Sequence, residues 1–193
     1  MAPKVDQTPG TLGTILVAMG VLARGVLSWL LALDEAGAGL ANAAAHGRPT
    51  ARRLIAAAAG WVAASEVLFM VGLGVSGRRR AAMRMLLAVS TVYVAVEGLA
   101  LTWRRQRPFA RLDAVRAVVP HAAERSFPSR HVASAVAMAR IGGRARPRVG
   151  RWMAVLAGLL AVGRVGAGLH YPSDVVAGAA LGLAIGGVFR EWP

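Results

Sequence analysis

Phe127-Pro128-Ser129-Arg130-His131 opens an apolar run that continues to Ile141, and the same punctuation returns in His170-Tyr171-Pro172-Ser173-Asp174 ahead of a run ending at Phe189. In each stretch a Pro-Ser pair stands where a helix begins. Ser129 reads as an N-cap with His131 in the first turn. His170 falls just ahead of the last helix, and Asp174 in its opening turn. Two helix N-termini then converge on one spot, where free N–H groups and the positive ends of two dipoles attract an anion.

Working outward, a stretch of about 20 apolar residues can cross a bilayer. Six candidates occur, at about 11–33, 54–75, 83–103, 131–141, 152–167 and 174–189, the fourth being short and beginning inside the protein. A polar segment from Arg104 to Arg130 separates the third from the fourth. The expected fold is all-α: a polytopic membrane protein of six transmembrane helices, forming one integral-membrane domain over 1–193, with no disordered tail beyond the first ten residues. Gly and Ala within the spans suit close helix packing in lipid. Trp29, Trp103, Trp152 and Trp192 fall near expected helix ends, as interfacial tryptophans do. The first run exceeds a signal-peptide core of roughly 7–15 residues, so it is expected to stay attached despite the Ala-rich residues 41–45.

Composition agrees: 56% of the 193 residues are hydrophobic, and mean hydropathy is +0.52. The formal net charge of +14 is almost all arginine, since Lys4 is the only lysine. The arginines lie mostly between apolar runs and form no basic helix or aromatic-interleaved patch, so anionic lipid or phosphate partners fit and nucleic acid does not. Without cysteine there is no disulfide, thiolate ligand or thiol nucleophile.

With six spans, the motif-bearing connections after the third and fifth helices share one membrane face. The opposite face holds the N-terminus, Arg78-Arg79-Arg80, the cluster Arg144, Arg146, Arg148 and Arg151, and Arg190. The positive-inside rule makes that face cytoplasmic and puts the site outside the inner membrane. Arg48, Arg52, Arg53, Arg104, Arg105, Arg111, Arg116 and Arg125, on the site's own face, weigh against this orientation and are partly discounted as phosphate-attracting charge.

The residues themselves define a chemistry. A neutral imidazole can attack phosphorus if a carboxylate keeps its other nitrogen protonated, the arrangement offered by His170 with Asp174. His131 can protonate the departing oxygen. Arg107, Arg130 and Arg164 can hold the phosphoryl oxygens through bidentate contacts. The scheme needs neither metal nor cofactor. Taken singly, each piece has an ordinary reading: a helix break at Arg-Pro, a Pro-Ser N-cap, an interfacial histidine. Their joint occurrence favours a site. His46 and His121 read as solvated loop residues. Arg24, Glu66 and Glu97 lie within spans, where unpaired charge costs at least about 2.5–3.5 kcal/mol. Glu97 is expected to orient Arg104 or Arg105, and Arg24 to pair with Glu66 unless one of them snorkels to an interface.

The order and spacing of these clusters resemble the type 2 phosphatidic acid phosphatase superfamily of membrane lipid phosphatases, which shares its catalytic helical core with vanadium haloperoxidases. Arg107-Pro108 matches the end of that family's first motif. Pro128-Ser129-Arg130-His131 matches its Pro-Ser-Gly-His, and Gly163-Arg164 through His170 to Asp174 matches its third motif, where serine precedes the arginine. The resemblance implies a phosphohistidine intermediate on His170, an acid role for His131, and phosphate binding by Arg107, Ser129, Arg130 and Arg164. This chain departs from the pattern at Ala100, where the family has lysine, at Arg130 in place of glycine, and at Gly163 in place of serine. Arg104 or Arg130 could restore the missing charge. Arg105-Gln106-Arg107-Pro108-Phe109 with Ser126-Phe127-Pro128-Ser129 is similar to bacterial undecaprenyl pyrophosphate phosphatases of the bacitracin-resistance type. That similarity implies metal-independent hydrolysis of undecaprenyl pyrophosphate in the bacterial inner membrane. Phosphatidylglycerol phosphate or phosphatidate as substrate, a phosphotransferase or haloperoxidase on the same core, and a noncatalytic phospholipid-binding protein stand as alternatives.

Overall fold

The computed structural model describes residues 11–191, in which every regular element is a helix: α1 Thr11–His46, α2 Pro49–Val75, α3 Arg79–Thr102, α4 Pro108–Arg111, α5 Arg130–Ala145, α6 Pro147–Gly166 and α7 Pro172–Glu191. Trp192 and the first ten residues lie outside the described part. The residues through Asp34 form one compact unit and those from Glu35 a second. In the first, Leu16, Leu22, Leu27 and Trp29 of α1 are exposed, as on a helix that faces lipid. α1 continues to His46 instead of ending at Leu33, so Trp29 sits within the helix and not near its end.

Within the second unit α5 is the central helix, packed against α6, α7 and α3, while α2 lies on α6 and α3. The patterning explains the placement. On α3 the buried residues Ala81, Met85, Ala88, Val92, Val96 and Ala100 recur at three- and four-residue spacing, one stripe of a helix. Leu86, Val94 and Leu101 of the same helix are exposed, as are Trp152, Leu159 and Val162 of α6 and Val176, Leu183 and Val188 of α7. Large apolar side chains on outward faces of several long helices are what a hydrocarbon surround stabilises and water does not. On α5, by contrast, Val132, Ala133, Ala135, Ala137, Met138, Ala139 and Ile141 are all buried, and Ala133, Ala137, Met138, Ala139 and Ile141 join Met85, Val92, Met153 and Phe189 in the main core.

Four described helices are long and apolar enough to cross a membrane, α1 from Leu16, α3, α6 and α7, and a fifth if the bent α2 is counted as one span. This revises the six-span expectation at α5. With 16 residues, nine of them buried among its neighbours, α5 falls short of the length that crosses a bilayer.

Helices α5 and α7 meet backbone to backbone. Gly178, Gly182 and Gly186 form a stripe at four-residue spacing, and a Cβ on any of them would collide with the main chain of Ser129, Ala133 or Ala137 on α5. Small residues at this spacing are the general means by which membrane helices pack closely. The consequence is positional: the N-terminus of α5, bearing His131, is locked beside that of α7, bearing Asp174.

Candidate active site

The polar segment between α3 and α5 is pinned by its own backbone. Arg107 N–H donates to the Ala123 carbonyl at 2.9 Å and Ser126 N–H to the Arg105 carbonyl at 2.9 Å, while Phe109 N–H reaches the Gly168 carbonyl at 3.1 Å. Ser129 N–H donates to the Asp174 carbonyl at 2.9 Å, tying together the starts of α5 and α7. Ser129 is the residue preceding α5, as its spacing predicts, but its hydroxyl makes no capping bond and lies buried with no hydrogen-bond partner among the described residues.

His170 is 2% exposed, and its two ring nitrogens have different surroundings. Nδ1 lies 2.8 Å from the Ser126 carbonyl and 3.5 Å from Asp174 Oδ2. Nε2 faces Arg107 Nη1 at 3.1 Å and Arg164 Nη2 at 3.3 Å. A carbonyl can only accept and a guanidinium can only donate, so the proton is assigned to Nδ1 and the lone pair to Nε2. Burial, reinforced by Arg164 and Arg107 and opposed by Asp174, holds the His170 pKa down at about 4. The ring is therefore neutral at pH 7, with its lone pair directed between two cations.

Asp174 is fully buried. Its Oδ1 accepts from Arg105 Nη1 at 2.7 Å, and its Oδ2 accepts from Tyr171 N–H at 2.8 Å and from the Ser126 hydroxyl. Arg105 also donates to Ser173 Oγ at 2.7 Å and stacks 3.8 Å from the Tyr171 ring centre. Arg107 is anchored by the Leu169 carbonyl at 2.7 Å and the Arg125 carbonyl at 3.2 Å. Burial lowers its pKa to about 10, and Asp174 counters that effect, so it stays charged at neutral pH.

His170 and Arg107 open onto a cavity of about 190 Å³ that His131, Arg130, His121, Glu97 and Ala100 also line. The two imidazoles expected to act together thus share one cavity, although they lie 39 positions apart in the chain. Arg130, one residue before His131, is directed to the rim: it pairs with Glu97 at 3.0 Å and lies over the Tyr93 ring, its guanidinium carbon 4.4 Å from the centroid. Glu97 also pairs with Arg125 at 2.8 Å.

Several expectations change here. Arg104 is exposed and does not line the cavity, because α3 ends at Thr102 and the helical turn that would have carried it past Ala100 is absent. For the same reason Glu97 pairs with Arg125 and Arg130 across the cavity mouth and not with Arg104 or Arg105. Glu66 is buried, and its carboxylate oxygens have no hydrogen-bond partner among the described residues. His121 is no solvated loop residue: its Nε2 lies 3.0 Å from Arg164 Nη2, the same nitrogen that faces His170. His46 is likewise partnered, by the Asn42 carbonyl at 3.0 Å. Residues missed in the sequence are Arg105, Ser126 and His121. Of these only Arg105 and Ser126 carried a signal, by flanking the first and second motifs.

The departure at Gly163 has a steric cause. A Cβ there would lie 2.7 Å from Ala58 Cβ and 2.9 Å from the Ala59 nitrogen, so α2 packs where a serine side chain would stand. That approach brings the Ala59 carbonyl to 3.5 Å from Arg164 Nη1.

One measurement tests the electrostatics. Burial and the neighbouring guanidiniums push His121 down to about 4 as well. In protein carrying ¹⁵N-histidine, both rings are expected to remain neutral as pH falls through the ordinary value of about 6.5 and to protonate only near 4. Titration of either ring near 6.5 would show that neither burial nor the guanidiniums hold it down.

The PAP2 superfamily profile matches residues 81–193, more than half of the sequence, and the chain belongs to that superfamily. Among curated relatives, decaprenylphosphoryl-5-phosphoribose phosphatase of Mycobacterium tuberculosis is 41% identical over 44% of this chain and 46% of its own length. Undecaprenyl-diphosphatase BcrC of Bacillus subtilis is 34% identical over 51% of this chain and 55% of its own. The chain thus matches about half the length of these relatives. Among solved structures, Aquifex aeolicus LpxE superposes with a TM-score of 0.65 at 25% identity, covering 79% of this chain and 92% of that one. The PAP2-type phosphatidylglycerolphosphate phosphatase of Bacillus subtilis shares the fold, with a TM-score of 0.69 at 22% identity over 92% of each chain. The chain is a multi-pass membrane protein of this family.

Proposed function

We propose that the protein hydrolyses a membrane lipid phosphate through a phosphohistidine on His170, with undecaprenyl diphosphate as substrate and undecaprenyl phosphate as product. The observation that carries this reading is the lone pair of His170 Nε2, directed between Arg107 and Arg164 while Ser126 and Asp174 hold the opposite side of the ring. Once a phosphoryl group enters the cavity its oxygens take over the guanidinium donors, which frees Nε2 to attack. The N–P bond forms as the bond to the leaving oxygen breaks, and His131 protonates that oxygen. Burial, with the nearby Arg164 and Arg130, holds the His131 pKa down at about 3, and bound phosphate charge offsets the guanidiniums and favours the protonated ring. Water then attacks the phosphohistidine, giving its proton to His131, and inorganic phosphate departs. Arg107 and Arg164 stabilise the charge on the equatorial oxygens, and the buried Ser129 hydroxyl, without a hydrogen-bond partner among the described residues, donates a further hydrogen bond.

Arg130 supports the diphosphate. It stands where the family pattern has glycine, lines the cavity with Ala100, and is joined to Arg125 through Glu97, a rim suited to a second phosphoryl group. Changing Arg130 to glycine is expected to lower kcat/KM on a prenyl diphosphate by roughly 10–100-fold, the usual worth of a charged hydrogen bond, and on a monoester by less than about threefold. Equal losses on both would remove the rim from substrate selection. A second reading, a phosphomonoester on a polyprenyl-linked sugar, is favoured by the 41% identity to the mycobacterial relative. Phosphate release from a panel of prenyl diphosphates, prenyl-linked sugar phosphates, phosphatidylglycerol phosphate and phosphatidate, in detergent with EDTA, discriminates among them. Loss of turnover on chelation would overturn the metal-independent scheme.

The same reading places the cavity on the extracytoplasmic face of a bacterial inner membrane. Support comes from Arg78, Arg79, Arg80, Arg144 and Arg190, which lie at the opposite helix ends.

A further inference from the structure

The end of the bundle remote from the active site holds a second, larger cavity, of about 690 Å³. Six arginines line it: Arg78, Arg79 and Arg80 at the start of α3, Arg84 one turn further on, Arg144 at the end of α5 and Arg190 at the end of α7. The one carboxylate among its lining residues is Glu191, 3.3 Å from Arg190 Nε. Arg84 Nη1 contacts the Arg190 carbonyl at 3.4 Å, and the buried Nε of Arg84 has no hydrogen-bond partner among the described residues. So many guanidiniums around one cleft repel each other, and converging positive potential concentrates anions there. About 25 Å of α3 separates Arg80 from Glu97 at the catalytic end, close to the hydrocarbon thickness of a bilayer. The cleft therefore lies at the other membrane–water boundary, level with headgroups.

We propose that this cleft binds a phosphate-bearing anion and thereby ties together the ends of α3, α5 and α7. Guanidinium forks match phosphate oxygens in geometry, and basic pockets between membrane helices suit anionic headgroups. These three helices bear Glu97, His131 and Asp174 at their far ends, so a bound anion braces the scaffold of the active site without entering it.

The test compares the parent with Arg84→Gln and with Arg80→Gln/Arg84→Gln/Arg144→Gln. Proteins are reconstituted in phosphatidylcholine nanodiscs with or without phosphatidylglycerol and, separately, held in detergent with inorganic phosphate. Melting temperature and lipid retained in native mass spectra are the readouts. The parent should melt higher with phosphatidylglycerol and keep it bound, and the variants should retain it roughly tenfold less, as expected when charged hydrogen bonds are lost. Stabilisation by inorganic phosphate alone, absent in the variants, assigns the cleft to a soluble anion and still supports the site. Anion binding at the active site persists in all three proteins, so only the difference reports on the cleft. Should Arg84→Gln, folded in the parental orientation, respond to both probes as the parent does, the arginines serve topology alone and the proposal fails.

Discussion

Replacing His170 with alanine is expected to lower kcat by about 10⁴-fold or more on any substrate the protein accepts, the scale seen when a nucleophile or its base is removed from a preorganised site. The size follows from the position of the ring. Nε2 is the atom between Arg107 and Arg164, and no other imidazole on the cavity has a nitrogen held toward it by both a carbonyl and a carboxylate. Folding should suffer modestly, by about 1–3 kcal/mol, because the Ser126 carbonyl loses its donor in a buried setting. Rapid acid-free quench of the parent with ³²P-labelled substrate should trap a phosphoenzyme that is acid-labile and alkali-stable, and the variant should give none. Labelling that persists in the variant would assign the nucleophile to another residue.

Changing Asp174 to asparagine should cost about 10³–10⁴-fold in kcat, for a different reason. The carboxylate accepts from Arg105, Tyr171 N–H and the Ser126 hydroxyl, and in the proposed mechanism its charge steadies the positive ring that forms on His170. An amide has one accepting oxygen and a donor group, so at least one of these donors would face another donor, and the Arg105 charge would be left without its counter-ion. Breaking a buried pair from one side typically costs about 3–5 kcal/mol. The melting temperature should therefore fall along with the rate. Protein that melts early yet turns over at the parental rate would make Asp174 purely architectural.

What the sequence revealed and what it hid divide along a physical line. Helix starts announce themselves locally, so Pro-Ser punctuation located α5 and α7 and with them His131, His170 and Asp174. The polar segment from Arg104 to Arg130 has no periodicity, and its folding depends on long-range backbone bonds such as Ser126 to Arg105. Arg105, Ser126 and His121 therefore gained their partners invisibly. Arg104 was misjudged because helical geometry was extended beyond Thr102. The bundle's count of spans shows the same limit: the apolar run on α5 is short and is interrupted by Arg140 and Arg144, and its packing among neighbouring helices shows that much of its surroundings is protein.

The glycine stripe of α7 has one more outcome. Where main chains touch there are no rotamers to adjust, so α5 and α7 form a stiff strut, and the starts of the two helices, with His131 and Asp174, keep their spacing whatever occupies the cavity. If the protein acts on lipid phosphates as proposed, accommodation of tails of differing bulk falls to the periphery, to the arginine–glutamate rim and the segment between α3 and α5. Divergent substrate choice within such a framework can arise by redrafting that border while the chemistry behind it stands still.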